Sequence, residues 1–306
     1  MSSAVRFSRA LIKQLRLHQW AKNALVLVPA LLAPGRPRLD LIGRGLLAAL
    51  AFSLAASAGY VLNDLLDLEA DRAHPTKRNR PFASGALPPR LGPPLGIALV
   101  AAAFGIALAF LPKFIIMLGL YLVGTVAYSL WLKRLLLVDV LVLAGLYAHR
   151  VLSGGVATQV HVSAWLFGFS IFLFTSLAFA KRYVELRGLT GDEPVKNRAY
   201  VRVDLDMVRS MGVSSGFLSV LVFMLYVEGP AGRAGYAEPA VLWLALPVLL
   251  YWLGRVWLLT GRGQMQDDPV RFALRDGRSI AAGLVIVGLA AVARFPPSWV
   301  VTFLHG

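Results

Sequence analysis

LIGRGLLAALAFSLAASAGYVLNDLLDLEAD, residues 41–71, runs an apolar stretch straight into a burst of acids. From Leu41 to Leu62 the one charge is Arg44. A helix rises about 1.5 Å per residue, so this run is long enough to cross a hydrocarbon core of about 30 Å. A soluble helix of that length would turn a polar face outward every few residues. None occurs before Asn63, so the stretch predicts a transmembrane helix that ends on a charged, oxygen-rich tip.

The same reading extends along the chain. Apolar runs near 20–34, 41–62, 91–111, 114–132, 136–156, 162–180, 212–228, 239–260 and 279–295 predict nine spans. With 306 residues, 58% of them hydrophobic and 15% charged, the composition excludes an ordinary soluble domain. The formal charge of +15 does not indicate nucleic acid, because the 31 Lys and Arg sit mainly in loops between apolar runs. With a cytoplasmic N-terminus, 22 of them fall inside, six outside (Arg36, Arg38, Arg44, Lys113, Arg233 and Arg294) and three within spans. That asymmetry predicts a multi-pass inner-membrane protein whose long, chemically active loops face the cytoplasm. The absence of cysteine excludes disulfides, thiolate catalysis and cysteine-based metal sites.

Ala24–Ala33 follows Arg6, Arg9, Lys13 and Arg16 like the core of a signal peptide, but no A-x-A site follows. It is read as a retained first helix. Residues 1–18 alternate those bases with Phe7, Leu11, Ile12 and Leu15, the pattern of an amphipathic segment anchored in the interface. No repeat or long linker divides residues 1–306, so one helical domain is expected.

On a continuous helix Asn63, Asp64, Asp67 and Asp71 project at about 0°, 100°, 40° and 80°, while Glu69 points to the far side at about 240°. Four oxygen-bearing side chains in one arc repel one another unless a cation lies among them, and hard oxygens suit Mg²⁺ bridging to phosphate. As a merely exposed helix end they would oppose the macrodipole. Arg72, His74, Lys77, Arg78 and Arg80 follow at once, and acids followed by bases form a clamp for a metal diphosphate.

The string N-D-L-L-D-L-E-A-D-R-A-H-P-T-K-R-N-R-P, together with H-Q-W-A-K-N at residues 18–23, resembles the first aspartate-rich motif of the UbiA superfamily of intramembrane prenyltransferases. The likeness is closest to its decaprenyl-phosphate phosphoribosyltransferase branch. The resemblance implies nine helices around a central cavity open to the cytoplasm, with Asn63, Asp67 and Asp71, joined by Asp64, holding Mg²⁺ and a diphosphate. Ordinary members carry a second D-x-x-x-D at the end of the sixth span, where this chain has K-R-Y-V-E, residues 181–185. Lys181, Arg182 and Glu185 share one face of a helix beside Tyr183. Two cations and one carboxylate suit a phosphate monoester better than a second metal.

That face tips the resemblance towards the phosphoribosyl branch, which implies Mg²⁺-dependent transfer from 5-phosphoribosyl diphosphate to a polyprenyl phosphate. Prenyl transfer to an aromatic or other small acceptor is the alternative. A lipid or anion transporter would show repeat symmetry or broken span pairs, and neither is visible. Lys22, Lys133 and Tyr128 are further candidates for the substrate. Asp139 and Arg150, eleven residues apart on one stripe of the fifth span, are expected to pair or to line the cavity. Arg255, Asp267 and Asp268 complete the candidates, with Asp268 before Pro269 fitting a helix cap. Homo-oligomerisation stays open.

Overall fold

The computed structural model describes residues 3–33, 38–189, 198–265, 268–273 and 275–305, so Arg36 and Asp267 lie outside it. The described residues are all-α, without a strand. Among the described residues seven helices are long and apolar enough to cross a membrane, the longest spanning Leu39–Leu66. The expected nine differ in two places. Phe114–Leu130 is an apolar helix of 17 residues. The first run is not an α-helix of span length: Leu17–Leu27 forms a 3-10 helix and only Val28–Leu32 is α-helical. The chain divides into two compact units, Met1–Trp131 with His149–His161, and Leu132–Ala148 with Val162–Gly306.

The first unit contains α1 (Ser3–Leu15), α2 (Val28–Leu32), α3 (Leu39–Leu66), α4 (Leu68–Ala73), α5 (Gly92–Phe110) and α6 (Phe114–Leu130), with the C-terminal part of α7 (Val138–Thr158). Pro at the start of α5 is free to sit there because the first helical N–H groups need no partner. The α3 helix packs along α5, and Ala58 and Val61 meet Leu99 in a cluster completed by Phe82, Leu87 and Ala10 of α1. So α1 is docked on one face through Ala10, Leu11 and Leu15, while Val5, Phe7 and Ile12 stay exposed on the other. The 3-10 stretch comes so near α7 that a Cβ at Gly154 would collide with the Val26 carbonyl oxygen. Only glycine permits that approach.

The second unit contains the start of α7, then α8 (Ala164–Arg187), α9 (Leu205–Glu228), α10 (Pro230–Gly235), α11 (Ala245–Gly261), α12 (Pro269–Ala273), α13 (Gly277–Arg294) and α14 (Ser298–His305). Ser163 caps α8 by accepting from Leu166 N at 3.1 Å, and Asp276 caps α13 by accepting from Ser279 N at 2.8 Å. The α8 and α9 helices pack along each other, and α11 packs on α9 and α13. Gly212 lies against Trp257 and Phe179, where a Cβ would overlap both. Trp257 Nε1 donates to Ser176 Oγ at 3.0 Å, which satisfies its one polar atom within an apolar layer that includes Tyr183 and Leu186.

Candidate functional site

The acidic stripe of the first unit survives a change of helix. Asp67 ends α3 at φ −97°, ψ 12°, and α4 begins at Leu68. The four-residue hydrogen-bond spacing nevertheless continues, from Asp67 N to Asn63 O at 2.9 Å and from Asp71 N to Asp67 O at 2.8 Å. Asp64 and Asp71 are each only 2% exposed, whereas Glu69 is exposed on the opposite side. Asn63 and Asp67 are half-buried, and among the described residues neither side chain makes a hydrogen bond or ion pair.

The buried carboxylates are neutralised by arginines. Arg80 Nη1 donates to Asp64 Oδ1 at 3.0 Å and to Asp71 Oδ2 at 2.6 Å, so one nitrogen joins the two acids. Arg16 Nη2 donates to Asp64 Oδ1 at 2.5 Å, and Gln14 Nε2 to Asp64 Oδ2 at 2.9 Å. Beside them lies a cavity of about 280 Å³ whose wall includes Lys13, Arg16, His18, Asp64, Lys77 and Arg80. Four bases face this space, and the carboxylate among them is already paired. The wall is therefore electropositive and suited to a polyanion.

Among the sequence candidates, Asp64, Asp71, Lys77 and Arg80 come together here. Arg72 and Arg78 are exposed beside the motif, and His74 shapes the loop by accepting at Nδ1 from Thr76 N at 3.2 Å and Lys77 N at 3.3 Å. Lys13, Gln14, Arg16 and His18 were not singled out for the site. The sequence pattern gives them no signal beyond an amphipathic anchor, and only the burial of Gln14, four residues after Ala10 on the docked face of α1, marks a polar group that needs a partner. Lys22 and Tyr128 are half-buried and outside the cavity wall.

Among the described residues no group of three or more Asp, Glu or His forms a closed metal cage. The donor set still fits a hard cation. Asp64 and Asp71 already gather around one positively charged nitrogen, and the unbonded Asn63 and Asp67 oxygens lie on the same stripe.

Arg150 belongs to the first unit, where it donates from Nε to Asn23 Oδ1 at 2.9 Å and from Nη2 to Tyr121 OH at 3.2 Å. Asn23 in turn donates to Ser53 Oγ at 3.0 Å. Of the two roles expected for Asp139 and Arg150, to pair or to line the cavity, this overturns the pairing. Sharing a stripe sets direction only, and eleven residues of helix rise about 16 Å.

In the second unit Asp139 is fully buried, accepts from Tyr200 OH at 2.8 Å and Arg198 Nη1 at 3.4 Å, and forms an ion pair with Arg182, whose Nε lies 2.7 Å away. Arg182 and Arg198 also both reach Glu185 Oε2, the latter at 3.3 Å. Two carboxylates and two guanidiniums thus close a ring of alternating charge, with Arg182 only 1% exposed. Burial, then the hydrogen bond to Asp139, pushes the Tyr200 hydroxyl well above the ordinary tyrosine range, so it stays a neutral donor. Lys181 is one third exposed, 3.8 Å from Asp268, and Arg198 donates to the Lys133 carbonyl at 3.4 Å. Tyr183 is core, edge-on to Trp257.

Asp268 accepts from Val270 N at 3.0 Å and so caps α12 as expected. Arg255 grips Asp276 through two hydrogen bonds of 2.6 and 2.9 Å. Chiefly through that contact, the Asp276 carboxyl is lowered to about 2.

The model of the UbiA prenyltransferase family matches residues 24–275. The chain is 36% identical over 285 residues to the uncharacterized protein y4nM of Sinorhizobium fredii, covering 92% of this chain but 55%, about half, of that protein's length. It is 30% identical over 270 residues to the decaprenyl-phosphate phosphoribosyltransferase of Mycobacterium tuberculosis, with 87% of each chain covered. The fold is similar to that of a UbiA homologue from Archaeoglobus fulgidus solved bound to GPP and Mg²⁺, with a TM-score of 0.67 at 15% identity over 93% of this chain and 98% of that one. The family match spans most of the chain and contains the whole aspartate-rich motif, so this chain is a membrane transferase that belongs to the UbiA prenyltransferase family.

Proposed function

We propose that the chain transfers the 5-phosphoribosyl group of 5-phosphoribosyl diphosphate to a polyprenyl phosphate, releasing diphosphate, with Mg²⁺ as cofactor and the active site facing the cytoplasm. One observation carries the reading: an electropositive cavity wall of Lys13, Arg16, Lys77 and Arg80 stands beside a stripe of hard oxygens. Asn63, Asp67 and Asp71 are the residues that would hold the metal, with Asp64 beside them on the same stripe. When bound, Mg²⁺ supplies Lewis acidity to the leaving diphosphate. The bases take the remaining phosphate oxygens and orient the donor, with Arg72 and Arg78 as exposed reserves of charge at its approach.

In the reaction an acceptor phosphate oxygen forms a bond to the anomeric carbon while the bond from that carbon to the diphosphate oxygen breaks. A phosphate monoester is already anionic near neutral pH, so positioning matters more than a general base. That agrees with the absence of any cysteine and with a His74 engaged in its own loop. Lys181, Lys22 and Lys133 remain candidates to steer the acceptor phosphate, while Arg182 serves by holding Glu185 in place.

The family match runs across both compact units, which supports one domain over residues 1–306. Nine crossings follow if Leu17–Leu32 and Phe114–Leu130 both span, and the excess of Lys and Arg in alternate loops supports an inner-membrane protein with a cytoplasmic site. Incubation of the purified protein with labelled 5-phosphoribosyl diphosphate, Mg²⁺ and a polyprenyl phosphate should place the label in the lipid phase. Transfer from a prenyl diphosphate to an aromatic acceptor, with no phosphoribosyl lipid formed, would replace this reading by prenyl transfer.

A further inference from the structure

Within the acidic stripe, Asp64 receives three side-chain donors, Asp71 one, and Asp67 none among the described residues. Two of the donors to Asp64 are guanidiniums, which do not lose their protons in a protein. A divalent cation at Asp64 would therefore sit against two fixed positive charges on a side chain 2% exposed. Asp67 offers the opposite surroundings, half-buried and with an unbonded carboxylate.

The geometry around Arg16 has the same emphasis. Arg16 occupies the left-handed region at φ 53°, ψ 49°, which non-glycine residues rarely adopt, at the point where α1 turns into the 3-10 helix. Ser57 Oγ donates to the Leu15 carbonyl at 2.8 Å, Trp20 Nε1 donates to Ser57 Oγ at 3.1 Å, and the Arg16 guanidinium lies 4.9 Å from the centre of the Tyr60 ring. The strained turn is thus pinned to α3 on both sides of the residue whose side chain enters the cavity. Gln14 is fully buried and donates to Asp64, and its own Oε1 has no hydrogen-bond partner. An orphaned buried acceptor is costly, and the gain that offsets it is the hydrogen bond that fixes the Asp64 carboxylate in place.

We propose that Asp64 is a positioning residue rather than a metal ligand: it holds Arg16 and Arg80 with their remaining N–H groups toward the cavity, where they bind the phosphate oxygens of a diphosphate. The metal then belongs to Asn63, Asp67 and Asp71. The N-terminal helix is part of the site through Gln14 and Arg16. The assignment rests on the diphosphate reading above and sharpens it.

The test uses the full chain in detergent and two binding measurements that need no turnover: Mn²⁺ binding followed by electron paramagnetic resonance, and binding of inorganic pyrophosphate with Mg²⁺ by calorimetry. Asp67→Asn should weaken Mn²⁺ binding by about tenfold or more, whereas Asp64→Asn should change it by less than about threefold. Asp64→Asn and Arg16→Gln should each weaken pyrophosphate binding by roughly tenfold, the loss expected for a charge-assisted hydrogen bond, and Arg16→Lys should recover part of it. Mn²⁺ binding lost equally in Asp64→Asn and Asp67→Asn would make Asp64 a ligand and overturn the proposal. Should Asp64→Asn fail to fold, unchanged pyrophosphate affinity in Arg16→Gln overturns it as well. Mn²⁺ binding insensitive to Asp67→Asn would instead remove the metal–diphosphate reading, and this assignment with it.

Discussion

Replacing Arg182 with Gln separates two roles that its position in K-R-Y-V-E allows. Arg182 is 1% exposed and bonds both Asp139 and Glu185. The substitution strands Asp139, which is fully buried, with Tyr200 OH at 2.8 Å and Arg198 Nη1 at a longer 3.4 Å. Removing one partner of a buried ion pair costs about 3–5 kcal/mol, and the remaining contacts place this case toward the lower end. For a chain of this length such a loss lowers Tm by on the order of 5–10 °C. Intrinsic fluorescence of the seven tryptophans in a thermal ramp reads it without a thiol dye, which this cysteine-free chain could not take up. Asp139→Asn combined with Arg182→Gln should recover part of the loss, because the stranded charge is then gone. By contrast, Lys181→Gln should cost under about 1 kcal/mol, since that lysine is one third exposed and 3.8 Å from its carboxylate. An unchanged Tm for Arg182→Gln together with a donor or acceptor KM raised tenfold would refute the structural role and make Arg182 a phosphate ligand.

Asp67→Ala and Asp71→Ala should abolish turnover in a folded protein, while Glu69→Ala stays near wild type because its side chain is exposed on the far side; equal losses in radiolabel transfer would break the stripe assignment. Chelation should stop transfer, and excess Mg²⁺ or Mn²⁺ should restore it, since the ligands are hard oxygens; activity undiminished in chelator removes the metal from the mechanism. The Asp276 carboxyl, lowered from 3.8 to about 2 chiefly by its hydrogen bond to Arg255, adds stability that is present above the unfolded value and lost as pH falls through about 2. The Tm gap between wild type and Asp276→Asn, measured from pH 5 to pH 2, should therefore shrink across that window, and a gap constant with pH contradicts it.

What the sequence made legible, and what it hid, follows from how far each interaction reaches along the chain. Apolar runs announce themselves residue by residue, and the acidic stripe lies within nine consecutive positions, so both were readable despite the change of helix at Asp67. The Asp268 cap was readable for the same reason. The 3-10 form of Leu17–Leu27 was not, since nothing in its local pattern announces it, and the close approach of its Val26 carbonyl to Gly154 joins residues far apart in the chain. Counter-ions are longer-range still. Asp64 finds Arg16 at 48 positions' distance, and Asp139 finds Tyr200 at 61. A helical projection ranks Arg150 as the natural partner of Asp139 because it registers angle but not depth. The basic, amphipathic pattern of α1 satisfied an anchoring explanation by itself, and only burial singles out Gln14 on that helix. Acids clustered on one helix can thus be found from sequence, whereas the cations that neutralise them arrive from elements whose docking the local pattern does not encode. In a membrane protein this asymmetry is sharpened, since burying an unpaired charge is costly enough that each buried acid must have acquired such a partner.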